Sequence, residues 1–237
     1  MILLRSAVFN LFFFGTLFLW TLAACLAALV TPQLAGRAQF SWAKMNIGAL
    51  RVICGIRIEL SGQEFLPAGA AIIASQHQSA LDTFVWMVLL PDSVYVVKAE
   101  LCKVPLYGWL LVRLGHVPVD RKAGASALRG LLKGGGLALS AGRPVVIFPE
   151  GTRVAAGTRG TLQPGVAALA SYTGVPVVPV ATDSGYCWGR NAFVKRPGVV
   201  HLVIRRALPI GMRRVTMLPA LQQNWDDGQA SIIGPCG

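Results

Sequence analysis

From Ser6 to Thr31 the chain carries no charged side chain, and Leu, Phe, Ala, Val and Trp dominate. A helix over that run is long enough to reach across a hydrocarbon core of about 30 Å. Arg5 precedes it, whereas Arg37, Lys44, Arg51 and Arg57 follow, a bias that puts the bulk of the chain on the cytoplasmic side of a membrane. Leu22-Ala23-Ala24-Cys25 resembles a lipoprotein processing site. Leu26 to Val30 stays apolar where a mature terminus would turn polar, so the run reads as a retained anchor that crosses or dips into the bilayer. Pro32 to Gly36 is expected to break the helix. Beyond it Arg37, Ser41, Lys44, Gly48 and Arg51 share one helical face, and Phe40, Ala43, Ile47, Leu50 and Cys54 another. That spacing suits an amphipathic helix at a headgroup surface, or an ordinary helix packed on a core.

After residue 55 short β-like runs alternate with helical ones. Strands are expected over Ile56 to Leu60, Ala70 to Ala74, Val94 to Val97, Val145 to Phe148, Val177 to Ala181 and Val199 to Arg205. Helices are expected over Thr83 to Leu90, Leu106 to Leu114, Ser126 to Ala141 and Gly165 to Thr173. The alternation predicts an α/β domain over residues 56–212, with a mixed, largely buried sheet flanked by helices. Residues 1–55 form its N-terminal membrane-associated helical segment, and residues 213–237 read as an irregular tail ending Gly234-Pro235-Cys236-Gly237.

Composition sharpens the membrane reading. Hydrophobic residues make up 54% of the chain and the formal charge is +12, from 22 Lys and Arg against 10 Asp and Glu. Such a surplus suits anionic headgroups or a phosphorylated substrate. Nucleic acid is set aside, because the basic residues are scattered and few aromatics alternate with them as a stacking platform requires. The five cysteines are widely spaced, with no C-x-x-C pair. They predict reduced thiols and no zinc site.

Candidate chemistry collects at three places. In Gln76-His77-Gln78-Ser79-Ala80-Leu81-Asp82, the imidazole sits where a strand ends and the carboxylate lies in the first turn of the next helix. A turn between them can fold Asp82 back to one ring nitrogen, leaving the other to accept a proton. Ser79-x-x-Asp82 equally fits a capping box. In Phe148-Pro149-Glu150-Gly151-Thr152-Arg153, a guanidinium follows a glycine that permits a close backbone approach to an anion. Glu150 is placed to hold Arg153 or to accept from a substrate hydroxyl; a plain polar turn is the alternative. In Val117-Pro118-Val119-Asp120-Arg121, Arg121 offers a second guanidinium, or a solvated salt bridge with Asp120. His116 reads as a loop residue and His201 as a strand residue.

With these pieces in order, the chain resembles the glycerophospholipid acyltransferase family, specifically its 1-acylglycerol-3-phosphate O-acyltransferases. The resemblance rests on the H-x4-D block at His77 and Asp82, on Val119-Asp120-Arg121, on Phe148 to Arg153 and on Val175-Pro176-Val177-Val178-Pro179. It runs from about Ala71 to Pro209 and implies a glycerolphosphate acyltransferase-like fold. It also implies transfer of an acyl group from acyl-CoA or acyl-carrier protein to lysophosphatidic acid, giving phosphatidic acid at a bacterial-type inner membrane. The partners implied are that acceptor, the acyl thioester, membrane phospholipids and acyl carrier protein; no cofactor and no metal are implied. His77 and Asp82 would be the catalytic pair, and Arg121, Glu150, Gly151, Thr152 and Arg153 would bind substrate. Another acceptor (glycerol 3-phosphate, another lysophospholipid or a lyso-aminolipid) and a non-catalytic phospholipid-binding protein are the rival readings. Two departures stand out. Gln76 replaces a frequent Asn before the His, and Gln163-Pro164-Gly165 replaces a frequent Lys before the Gly, which leaves Arg159 as a substitute cation.

Overall fold

The structure, a computed structural model, describes residues 1–232. Helices α1 (Ile2–Val30) and α2 (Pro32–Ala49) are joined by Thr31 alone. The Thr31 hydroxyl accepts from Leu34 N at 3.2 Å, and Pro32 occupies the first turn, where its missing N–H is no loss. Pro32 therefore opens a helix, where a longer break was expected. Trp42 Nε1 donates to Thr16 Oγ1 at 3.3 Å, and Ala24 and Ala28 pack with Ala35, so the two helices form an antiparallel hairpin. The face expected to be polar on α2 is exposed at Arg37, Ser41 and Lys44, while Ala43 is buried. Most of α1 is the reverse: Leu11, Phe14, Phe18, Leu22, Leu26 and Leu29 are exposed. Its inner face docks on the domain through Phe9, which meets Trp188 edge-on at 5.6 Å. Lys195, buried, donates to Asn10 Oδ1 and to the carbonyls of Ala192 and Phe193, tying α1 to the chain before the last strand.

The domain then runs β1 (Ile56–Ser61), β2 (Ile72–Ser75), α3 (Leu81–Leu89), β3 (Val94–Lys98), α4 (Tyr107–Arg113), β4 (Val117–Val119), α5 (Ala125–Ser140), β5 (Val145–Ile147), α6 (Gly165–Thr173), β6 (Val177–Thr182), α7 (Ser184–Cys187), β7 (Gly198–Ile204) and α8 (Arg214–Ala230). The strands form one seven-stranded sheet in the order β1-β7-β6-β2-β5-β3-β4. Pairing is parallel except between β6 and β7, so the sheet is mixed, as expected. β4 was not predicted: it is three residues long with Pro118 at its centre, and it lies on the sheet edge, where a missing donor is tolerated.

Central β2 is buried throughout, and alternation sends its side chains to both faces. Ile73 joins Phe84, Val146 and Val178 under α2 and α3, while Ile72 and Ala74 join Leu131, Leu169 and Trp225 under α5, α6 and α8. The C-terminal end of β2 therefore emerges mid-sheet between two helical layers, the position at which α/β folds place ligands.

The expected irregular tail is corrected. Residues 214–230 are helical, not irregular. Pro219 interrupts the pattern, and the buried stripe is one residue per turn (Met217, Leu221, Trp225, Gly228), too narrow to stand out beside polar neighbours. Gly234 to Gly237 lie outside the described residues. Cys25, Cys54 and Cys102 are free thiols, and Cys236 lies outside the described residues.

Candidate active site

Asp82 falls in the first turn of α3, and its carboxylate turns back over the chain leaving β2. Oδ2 accepts from Gln78 N at 2.7 Å, from Ser79 N at 2.8 Å and from His77 Nδ1 at 3.1 Å. The Ser79 hydroxyl meanwhile accepts from Leu81 N at 3.1 Å. Capping and dyad are thus one arrangement, since the oxygen that satisfies the free N–H groups before the helix also holds the imidazole. A fully buried carboxylate needs such donors to remain charged. Because Oδ2 can only accept, Nδ1 carries the proton, and Nε2 has no hydrogen-bond partner among the described residues.

The 148–154 segment fixes the ring from the other side. Phe148 stacks on it with centroids 4.0 Å apart, His77 N donates to Glu150 Oε2 at 2.7 Å, and Val154 N donates to His77 O at 2.8 Å. Glu150 therefore does not hold Arg153 and does not line the cavity: its carboxylate points inward to satisfy the His77 N–H. Burial drives its pKa up to about 8, opposed by that hydrogen bond and reinforced by the nearby Asp82 charge.

A carboxyl whose folded pKa lies above its unfolded value holds an extra proton in the folded state, so it stabilises at low pH and the gain is lost as pH rises through about 8. Thermal unfolding of the wild type should decline between about pH 5 and 9, and Glu150→Gln should flatten that decline. Parallel curves for the two proteins would contradict the assignment.

His77 opens on a cavity of about 1240 Å³ whose wall also includes Arg121, Gly151, Thr152, Arg153 and Arg190. Gly151 has φ of 69°, and a Cβ there would lie 3.1 Å from Arg121 Cζ, so the missing side chain admits the Arg121 guanidinium rather than leaving open backbone. Asp120 does not pair with Arg121, because its Oδ1 accepts from Lys122 N at 2.9 Å. Burial and the neighbouring Arg190 push the Arg153 pKa down, with Asp82 acting the other way. Among the described residues, none of Arg121, Arg153 and Arg190 has a carboxylate within ion-pair distance. Like charges gathered without a counter-ion favour an anionic ligand. The remaining wall is mostly apolar, and part of it comes from outside the predicted domain, with Phe13, Leu17, Phe18 and Trp20 of α1 and Trp42 of α2.

Arg190, which carries no motif, and the α1 aromatics, whose inward face is hidden in a uniformly apolar run, are cavity residues the sequence did not single out. Arg159 is not a substitute cradle cation: it pairs with Asp226 at 2.9 Å on the surface. Gln76 spans inward, its Oε1 accepting from Thr182 N at 3.1 Å and from Gln229 Nε2 of α8 at 3.0 Å. His116 is buried, accepts from Tyr95 N at 3.1 Å and is kept neutral by burial, with a pKa of about 4. Among the described residues no group of three or more His, Cys, Asp or Glu could hold a metal ion.

A model of the acyltransferase family matches residues 57–183. The 1-acyl-sn-glycerol-3-phosphate acyltransferase of Pseudomonas aeruginosa is 33% identical over 98% of this chain and 92% of its own length. A protein of the same name from Cocos nucifera is 31% identical over 62% of this chain and 48% of its own. The crystal structure of the 1-acyl-sn-glycerophosphate (LPA) acyltransferase from Thermotoga maritima superimposes with a TM-score of 0.76 at 20% identity, covering 99% of this chain and 100% of that one, and supports the fold.

Proposed function

The chain belongs to the acyltransferase family, and from that premise we propose that it transfers an acyl group from a thioester to the free hydroxyl of 1-acylglycerol 3-phosphate, giving phosphatidic acid. The observation that carries this reading is that one cavity presents His77 with its free nitrogen, guanidinium groups without counter-ions, and an apolar wall. His77 Nε2 takes the hydroxyl proton as the oxygen attacks the thioester carbonyl. The C–S bond then breaks, and the imidazolium returns the proton to the leaving thiolate. Asp82 sets the tautomer and stabilises the imidazolium. Arg121 and Arg153, joined by Arg190, hold the phosphate, so both reactants meet in a fixed geometry that is worth several kcal/mol.

The guanidinium set favours a phosphorylated acceptor over an amino-acid-derived one. The volume, about 1240 Å³, exceeds the roughly 300–1,000 Å³ of ordinary small-molecule sites, in keeping with two acyl chains rather than one. A protein that only binds phospholipid needs no imidazole backed by a buried carboxylate. The exposed apolar face of α1, beside the cavity that α1 helps to line, supports a lipid-bound enzyme whose acceptor reaches the site from the membrane.

The test is to incubate purified protein with acyl-CoA or acyl-carrier-protein thioester and a panel of lysolipid acceptors, then identify the product by mass spectrometry. Phosphatidic acid is the expected product with either donor. Turnover confined to a non-phosphorylated acceptor would overturn the assignment.

A further inference from the structure

Asp82 Oδ1, the oxygen that does not face His77, accepts from Ser184 Oγ at 2.5 Å, and both residues are fully buried. The serine hydroxyl must be the donor, because a carboxylate can only accept. Its place is built, not incidental. Ser184 N donates to Thr182 Oγ1 at 3.2 Å, and Gly185 N donates to Gln78 Oε1 at 3.0 Å. The preceding Asp183 accepts from His201 N at 2.7 Å and from His201 Nδ1 at 2.8 Å on the neighbouring β7. The segment 182–185 is thus clamped to β7 on one side and to the His77 block on the other.

We infer that Ser184 is a positioning residue for the reaction, holding Asp82 in the rotamer that orients His77 and drawing charge from the carboxylate. This rests on the catalytic reading of His77 and Asp82. Removing a donor from a carboxylate concentrates its charge, and a more basic partner favours the imidazolium. The other titratable groups facing the pair are Glu150, bonded to His77 N and with its pKa raised by burial, and Arg153, whose charge acts on Asp82; Arg121 and Arg190 share the cavity wall with His77, and Asp183 and His201 lie behind Ser184. None of them is altered by changing the serine.

Two readouts on the whole chain test this. Ser184→Ala should lower kcat about 10- to 100-fold, the loss expected for a hydrogen bond to a charged group, with the KM for lysophosphatidate unchanged within about twofold. The acid limb of the pH–rate profile and the His77 ring titration followed by NMR should both move to higher pH, by about half a unit or more. Ser184→Thr, which keeps the hydroxyl, should recover the wild-type titration. An unmoved His77 titration in a folded Ser184→Ala protein would overturn the proposal, as would an acyl group trapped on Ser184. The NMR readout needs no turnover. A shifted titration in a protein inactive on every acceptor would therefore leave the positioning role standing and sink the functional reading instead.

Discussion

His77→Ala is expected to lower kcat about 10²- to 10⁴-fold, the range general-base catalysis supplies, with the folded structure retained. Among the described residues, the imidazole is the one group on the cavity wall with a proton acceptor free and a carboxylate behind it. Its ring is only partly enclosed, stacked on Phe148 at the cavity surface. Truncation therefore removes a surface of the site rather than a core strut, and the His77 backbone keeps its bonds to Glu150 and Val154. Steady-state kinetics with circular dichroism on the same sample separates the two effects. A variant within about fivefold of the wild type would remove His77 from the chemistry.

Arg153→Ala is expected to raise the KM for lysophosphatidate about 10- to 100-fold while leaving the KM for the acyl donor within about twofold. A hydrogen bond between ionised partners contributes about 1.5–3 kcal/mol, and 1.4 kcal/mol is a factor of ten. The asymmetry is the informative part. Arg153 shares its wall with Arg121 and Arg190 and is more buried than either, so a phosphate seated among them loses its best-desolvated partner. Arg190→Ala should act in the same direction but more weakly, because its side chain is exposed. A change confined to donor kinetics would mean that the guanidinium serves the thioester instead.

The parts of the fold written in local pattern were legible in the sequence. Ala70 to Ala74 and Val177 to Ala181 are apolar runs bounded by turns, and both are central strands. The His77 and Asp82 pairing was readable because only five positions and one helix start separate the two residues. Contacts set by chain closure were not readable. Ser184 reaches Asp82 across 102 residues, and nothing in Thr182-Asp183-Ser184-Gly185 announces it. Glu150 read as a substrate ligand because it sits beside Gly151, Thr152 and Arg153, which line the cavity; the unpaired His77 N–H that turns it inward exists only once β2 and β5 lie side by side. The same holds for α8, whose Trp225 Nε1 donates to Ala74 O at 3.1 Å and whose Gln229 meets Gln76. A segment that reads as tail thus buttresses the strand that delivers the imidazole.

A base and a phosphate grip that serve one acceptor make the acceptor's phosphate decisive for turnover. The direct measurement is the initial rate of acyl transfer to 1-acylglycerol 3-phosphate against the rate to the same monoacylglycerol without its phosphate, at equal thioester. The geometry predicts phosphatidic acid from the first and a preference of at least about 100-fold over the second, since the dephosphorylated lipid forfeits charge-assisted bonds of about 1.5–3 kcal/mol each. Equal rates on the two acceptors, or turnover of the neutral one alone, would contradict it.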